Sequence, residues 1–222
     1  MSAQGATGTG ADAPVCDAGV VLGYPSGRGH DGELVLGRGA RLRSGTVLYT
    51  GSRIGEGFET GHHVVVREDC EIEDDVSIWS NSVVDYGCRI GRGVKIHSNC
   101  YVAQYTEIGE GAFLAPGVTV ANDLYPGQEE SARLMAGPSI GPRAQIGVNV
   151  TLLPYVRVGA DCLVGSGAVV TRDLPAGTVA YGNPARVRGR VDALRPIDSR
   201  LVSEETSPSR YRLAGVHDPE EN

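Results

Sequence analysis

The residues with chemistry to offer are few. His97 carries an imidazole whose ordinary pKa, near ~6.5, suits proton transfer at neutral pH, and Asp123 is the second candidate for a base. Asn122 and Gln104 are neutral amides able to donate and accept hydrogen bonds. Their spacing is regular. Trp79, His97 and Ala115 form one evenly spaced series, and Tyr86, Gln104 and Asn122 form another with the same step. If a fold stacks residues that lie one such step apart, the two series become columns of large polar side chains. Such columns read as a wall for an acceptor substrate, with a base beside it.

A six-residue beat in the chain supplies that stacking. Counting in sixes from Leu36 meets Leu42, Leu48, Ile54, Thr60, Val66 and Ile72, and continues to Val120. It resumes at Ile140 and runs through Ile146, Leu152, Val158 and Val164 to Val170. Of these 21 positions, 20 are Leu, Ile or Val, types that fill only 51 of the 222 residues, and Thr60 is the exception. Three residues past the aliphatic comes a turn type, such as Gly39, Gly45, Asp69, Asp75, Asn81 or Asn99. These tolerate the positive φ of a tight corner. Four past it comes a small residue, as at Ala40, Thr46, Ser52 and Ser82. Cys70, Cys88, Cys100 and Cys162 occupy this small position and read as fillers, whereas Cys16 lies outside the repeat.

Neither a 3.6-residue helix nor plain strand alternation keeps a beat of six. Three hexads make one triangular coil, which is the step that separates His97 from Trp79, and coils stack like parallel strands at ~4.8 Å. The expected fold is an all-β solenoid of about seven or more coils around an aliphatic column. The expected organisation is a partly flexible lead-in over 1–32, the solenoid over 33–191 and a tail over 192–222. Residues 123–138 break the beat with charge, Pro and Gly, and read as an extruded loop.

The repeat resembles that of the hexapeptide-repeat acyltransferases, which implies a left-handed parallel β-helix. The stretch VKIHSNCYVAQYTEIGEGAFLAPGVTVANDLYP resembles the nucleotide-linked amino-sugar N-acetyltransferases of that group. In them an Asn before the extruded loop, matched by Asn122, and an acidic residue one coil earlier hold the sugar amine. Gln104 occupies the acidic position, a departure that removes the charge facing an ammonium. The resemblance implies catalytic roles for His97, Asn122 and Asp123, with Gln104, Tyr86 and Trp79 binding the acceptor. It also allows a mechanism with no protein base, the departing thiolate taking the proton.

For the donor, the resemblance implies coenzyme A as acetyl-CoA. Gly147, Gly165 and Asn183 form a further column at one-coil spacing, small enough for a pantetheine arm to lie along the coils. The segment Gly182-Asn183-Pro184-Ala185-Arg186 resembles the family's C-terminal coenzyme A segment, with Arg186, Arg188 and Arg190 spaced to meet phosphates. A homotrimer is expected from the same resemblance.

Composition bounds the rest. With 20 Lys+Arg against 27 Asp+Glu, the net charge of −7 argues against nucleic-acid or anionic-membrane partners. There is no long apolar run or basic leader, and the cysteines lack CxxC pairing. These features give a cytoplasmic expectation. His62 and His97 suggest the three-His zinc site of γ-type carbonic anhydrases, but Val102 stands where the third His is expected, so no metal is expected. O-acyl transfer to a sugar or natural-product hydroxyl is the principal alternative. A non-catalytic scaffold is the remaining one.

Overall fold

The computed structural model describes residues 13–29 and 32–194. The described residues up to Val191 form one compact unit; of the second, only residues 192–194 are described. His30, His217 and nearly all of the expected tail therefore lie outside the described residues.

Each hexad forms a two-residue strand in which the first side chain faces out and the second faces in. Lys95–Ile96, Tyr101–Val102 and Glu107–Ile108 show the pattern, the first residue exposed and the second buried each time. These three strands lie on successive faces of a prism. The first face is a ten-stranded sheet, the second eight-stranded and the third seven-stranded. The result is a parallel β-solenoid of about eight turns, with almost no helix. Neighbouring rungs pair in register one coil apart, as in Lys95 with Phe113 and Ile96 with Leu114.

All ten regular turn positions from Gly39 to Asn99 that carry Gly, Asp or Asn take positive φ. His63, Tyr105, Arg143 and Tyr155 do so too, because the stacked rungs dictate the corner. The inward aliphatics form one buried column from Leu42 to Val170. Thr60 joins it without an orphaned hydroxyl: its Oγ1 lies 2.9 Å from Thr46 Oγ1 and accepts from the Arg43 N–H at 3.0 Å.

The small inward position has a second duty. Ser52 Oγ donates to the Arg67 carbonyl at 2.7 Å and Ser82 Oγ to the His97 carbonyl at 2.8 Å. Cys70, Cys88 and Cys100 direct their thiols at the equivalent carbonyls of Asp85, Ala103 and Ala115, at 3.1–3.3 Å. Corner carbonyls that the strand ladders miss are thereby satisfied inside the prism.

Three departures from the repeat matter for the site. Across the extruded loop Thr119 pairs with Thr151, where an uninterrupted coil would have brought Gly137, so the insertion is taken up at one corner. Strands Val15–Cys16 and Val21–Tyr24 already pair with Arg41–Leu42 and Val47–Tyr49, and the solenoid therefore starts ahead of residue 33. Val15 meets Arg41 and not Glu33, an offset that hides these strands from a count by regular coils. At the far end Leu163 pairs with Val179, where a full coil would have brought Tyr181. Arg186–Arg190 then returns antiparallel along Thr178–Tyr181.

Leu114 is fully buried in the column. Leu114→Ala should lower stability by about 2–5 kcal/mol. Urea unfolding measures this, and a loss well under about 1 kcal/mol would mean that the column is not closely packed.

Candidate functional site

Chemistry-bearing side chains gather where the chain turns a corner, in the one or two positions after an inward aliphatic. The candidates divide between two edges of the prism.

The first edge follows strands of the ten-stranded face. The His97 ring is half-buried between the ring centroids of Trp79, at 6.1 Å, and Phe113, at 4.8 Å. Its backbone is pinned on both sides, N–H to Leu114 and carbonyl to Ser82. Its imidazole nitrogens have no hydrogen-bond partner among the described residues, which leaves them available to a substrate. Trp79 is exposed, whereas Ala115 is buried and adds nothing to the outer wall. Beside this edge an open depression of 410 Å³ is lined by Lys95, Phe113, Arg143 and Gln145.

The second edge follows strands of the eight-stranded face. Asn122 Nδ2 donates to Gln104 Oε1, and Gln104 Nε2 donates to Asp85 Oδ2 at 2.7 Å. Tyr101 OH donates to the same oxygen at 2.8 Å. Burial, and then the bond to Asp85, push the Tyr101 phenol up to about 12. The other carboxylate oxygen takes the Tyr86 N–H at 2.9 Å, with Arg67 Nη1 at 3.7 Å. Arg67 in turn holds the fully buried Glu68 through two hydrogen bonds of 2.8 and 2.9 Å. Burial opposes the charge on Glu68, but the Arg67 hydrogen bonds and charge outweigh it and hold the carboxyl below its ordinary range.

Several sequence expectations change here. Tyr86 is buried, not part of an outer column. Arg28 lies 4.1 Å over its ring and Tyr105 meets it edge-on, so it packs the edge and cannot line an acceptor wall. Asp123 Oδ1 accepts from the Tyr125 N–H at 2.9 Å and from Ser131 Oγ, inside the extruded loop. Those bonds make Oδ1 a brace for the loop. Asn122 and Gln104 also anchor that loop, their carbonyls receiving Ala136 and Gly137 N–H. His97 lies on the other edge from Asn122 and Asp123, so one chain does not bring the three together.

The donor column is also revised. With the last coil shortened, Gly165 faces Tyr181 and not Asn183. A Cβ on Gly147 would come within 2.6 Å of Ser166 N, and one on Gly165 within 2.8 Å of Tyr181 Cβ. Both glycines are thus required by the coil stacked on them. Asn183, Pro184 and Arg186 are exposed on the terminal turn, and Arg188 lies over the Tyr181 ring at 5.6 Å.

Sequence reasoning missed Asp85, the carboxylate whose absence at position 104 stood out. It sits one coil after Arg67 and directly after the inward Val84, the same phase as His97 after Ile96. That phase was its signal.

The repeat agrees with what is known of other proteins. A model of the bacterial transferase hexapeptide, six repeats long, matches residues 51–85, 87–122 and 137–172. Those three matches identify the repeat as that of the bacterial hexapeptide-repeat transferases. It is 40% identical over 75 residues to a dTDP-3-amino-3,6-dideoxy-alpha-D-galactopyranose 3-N-acetyltransferase of Aneurinibacillus thermoaerophilus. That match covers 32% of this chain and 38% of the relative. It is 34% identical over 84 residues to the galactoside O-acetyltransferase of Escherichia coli, covering 36% of this chain and 41% of the relative. The chain spans well under half the length of these curated relatives. Among solved structures, the UDP-N-acetylglucosamine acyltransferase of Campylobacter jejuni shares the fold, with a TM-score of 0.50 and 17% identity. That likeness covers 80% of this chain and 73% of the other. No group of three or more His, Cys, Asp or Glu side chains converges as a metal set among the described residues.

Because the Glu68 carboxyl sits below its ordinary pKa when folded, it stabilises the protein above the unfolded value, about 4.3. That contribution fades as pH falls through the unfolded and then the folded pKa. Glu68→Gln should therefore lower the melting temperature at pH 7 and shrink the gap between variant and parent towards pH 3. Parallel melting curves at both pH values would refute the assignment.

Proposed function

We propose that this protein transfers the acetyl group of acetyl-CoA to the amino group of a nucleotide-linked (dTDP- or UDP-) amino-deoxysugar. The observation that carries the reading is the half-buried pair Asn122 and Gln104 at the foot of the extruded loop, backed by the Asp85 carboxylate. A polar group held there can bind an amine. The short match to an enzyme named for 3-N-acetylation of a dTDP-linked amino sugar supports the same acceptor.

The chemistry needs a neutral amine. Its nitrogen attacks the thioester carbonyl, the C–N bond forms, the C–S bond breaks and coenzyme A leaves as the thiolate. The proton shed by nitrogen passes either to His97, whose imidazole is otherwise unpartnered among the described residues, or to that thiolate. Lys95 beside Phe113, and Arg186 and Arg188 on the terminal turn, are cations that could meet donor phosphates, whereas Arg143 is held by Asp161. A second reading, O-acetylation of a sugar hydroxyl, has specific support in the comparable match to a galactoside O-acetyltransferase. Neutral amides hydrogen-bond a hydroxyl as readily as an amine.

The working form proposed is a trimer. Outward residues of the second face include Val47, Val65, Val83 and Val169, beside Tyr101. Those of the third face are mostly charged, with Arg89 paired to Glu71 and Glu107. The apolar face is flanked by the His97 edge on one side and the Asn122 edge on the other. Turning it towards a threefold axis would carry His97 of one copy towards Asn122 of the next.

Mass spectrometry of products from acetyl-CoA and a panel of dTDP- and UDP-linked amino sugars tests the activity. A gain of one acetyl group on an amino member is expected. Acetylation only of hydroxyl analogues would favour the second reading. His97→Asn should lose turnover, and full turnover across pH would hand the proton to the thiolate. Co-assembly of inactive His97→Asn and Asn122→Ala chains should restore about a quarter of the sites if each is built from two copies, and none if it is built from one.

A further inference from the structure

We infer that Asp85, with Tyr101, is a positioning residue that fixes the polarity of the Gln104 and Asn122 amides, so that Asn122 offers its carbonyl oxygen to an N–H of the acceptor. The inference rests on the reading of Asn122 as the acceptor-binding residue. It adds the direction of the hydrogen bond and the residues that impose it.

The two ends of an amide are nearly alike in shape, so packing alone does not choose between them. Charge does. Every group around the Asp85 carboxylate is a donor: Tyr101 OH and Gln104 Nε2 on Oδ2, and the Tyr86 N–H with the Arg67 guanidinium on Oδ1. A carboxylate has only acceptor oxygens, so Asp85 accepts on both sides. Tyr101 remains protonated at any working pH, with its phenol pushed up to about 12 by burial and by Asp85, and it stays a donor.

Gln104 must therefore turn its NH2 group to Asp85, which leaves its Oε1 facing Asn122. Asn122 must then turn its own NH2 group inward to Gln104. The remaining amide oxygen, Asn122 Oδ1, takes no hydrogen bond among the described residues, and the residue is half-buried at the foot of the loop. Polarity thus passes from a carboxylate on one coil, through an amide on the next, to an outward carbonyl on the third. A carboxylate that itself touched the acceptor nitrogen would instead favour the ammonium form, which cannot attack. A carbonyl acceptor binds neutral N–H without that bias and leaves the nitrogen lone pair free for the thioester.

The test is steady-state kinetics with the amino sugar that the wild-type protein acetylates. Asp85→Asn lets the neighbouring amide bind either way round. Acceptor KM should rise about ten-fold or more, the cost of a mispaired half-buried polar group, while KM for acetyl-CoA moves less than about two-fold. The double variant Asp85→Asn with Gln104→Glu restores the polarity. The introduced carboxylate accepts from the introduced amide on one side and from Asn122 on the other, and most of the lost acceptor affinity should return. An unchanged acceptor KM in Asp85→Asn, or a folded double variant that recovers nothing, would overturn the inference.

Side-chain amide NMR of the ligand-free protein decides the matter apart from activity. One Asn122 Nδ2 proton should exchange slowly in the wild type and quickly in Asp85→Asn. Rapid exchange in both overturns the inference even if amino sugars are acetylated. Slow exchange that Asp85→Asn abolishes upholds the amide polarity even if no amino sugar is, in which case only the proposed substrate falls.

Discussion

Two-residue strands cannot sustain themselves, and everything in this molecule depends on the hydrogen bonds each makes to the coil before and the coil after. A rung such as Lys95–Ile96 lies between Ser77–Ile78 and Phe113–Leu114, with every inward aliphatic directly over the last. That register keeps the column dry and continuous. It also forces the corners into positive φ even at Tyr105 and Tyr155, where the side chain itself resists it. Stacking is therefore both the source of stability and the ruler that places every outward residue.

The same ruler explains why the corners can carry chemistry. A corner carbonyl is held from inside by the Ser or Cys of the preceding coil, as Ser82 holds His97 and Cys70 holds Asp85. The outward side chain then projects from a fixed backbone. On the His97 edge this leaves an imidazole between two aromatic rings. On the Asn122 edge it builds a polar chain over successive coils, with Glu68 buried at its foot and neutralised by Arg67. A buried carboxylate is tolerable only when paired in this way. Without Arg67 the Glu68 carboxylate would fall back on the Arg28 guanidinium, 3.6 Å away.

The two edges border one apolar face, while most outward positions of the third face are charged, Arg89 pairing with Glu71 and Glu107. Opposite surfaces of one prism thus differ in character although the inward code is the same on all three. The extruded loop is rooted at the same corner as Asn122, and Tyr155 OH donates to the Leu134 carbonyl to hold its far side. Loop, amides and apolar face belong to one functional region, and the regular coils beneath them are the support.

The six-residue beat was enough to determine the solenoid, the inward column, the corner positions and the loop, because all of these follow from a periodic contact between nearest coils. It also placed Gln104 next to Asn122 correctly, since both lie in regular coils. It could not see past a change of period. The lead-in strands pair across a longer stretch than one coil and the final rung across a shorter one. Val15 therefore escaped the count, and Asn183 fell over Gly165, where Tyr181 stands. Nor could periodicity tell a side chain facing water from one covered by a distant segment: Tyr86 has an outward phase, but Arg28 lies over it. The tie from Gln104 to Asp85, the turning of Asp123 into its own loop and the separation of His97 from Asn122 were decided only by the tertiary structure. Periodicity in a sequence reports which backbone lies above which. The direction of a hydrogen bond and the burial of a ring depend on side chains that reach across coils, and no spacing encodes them.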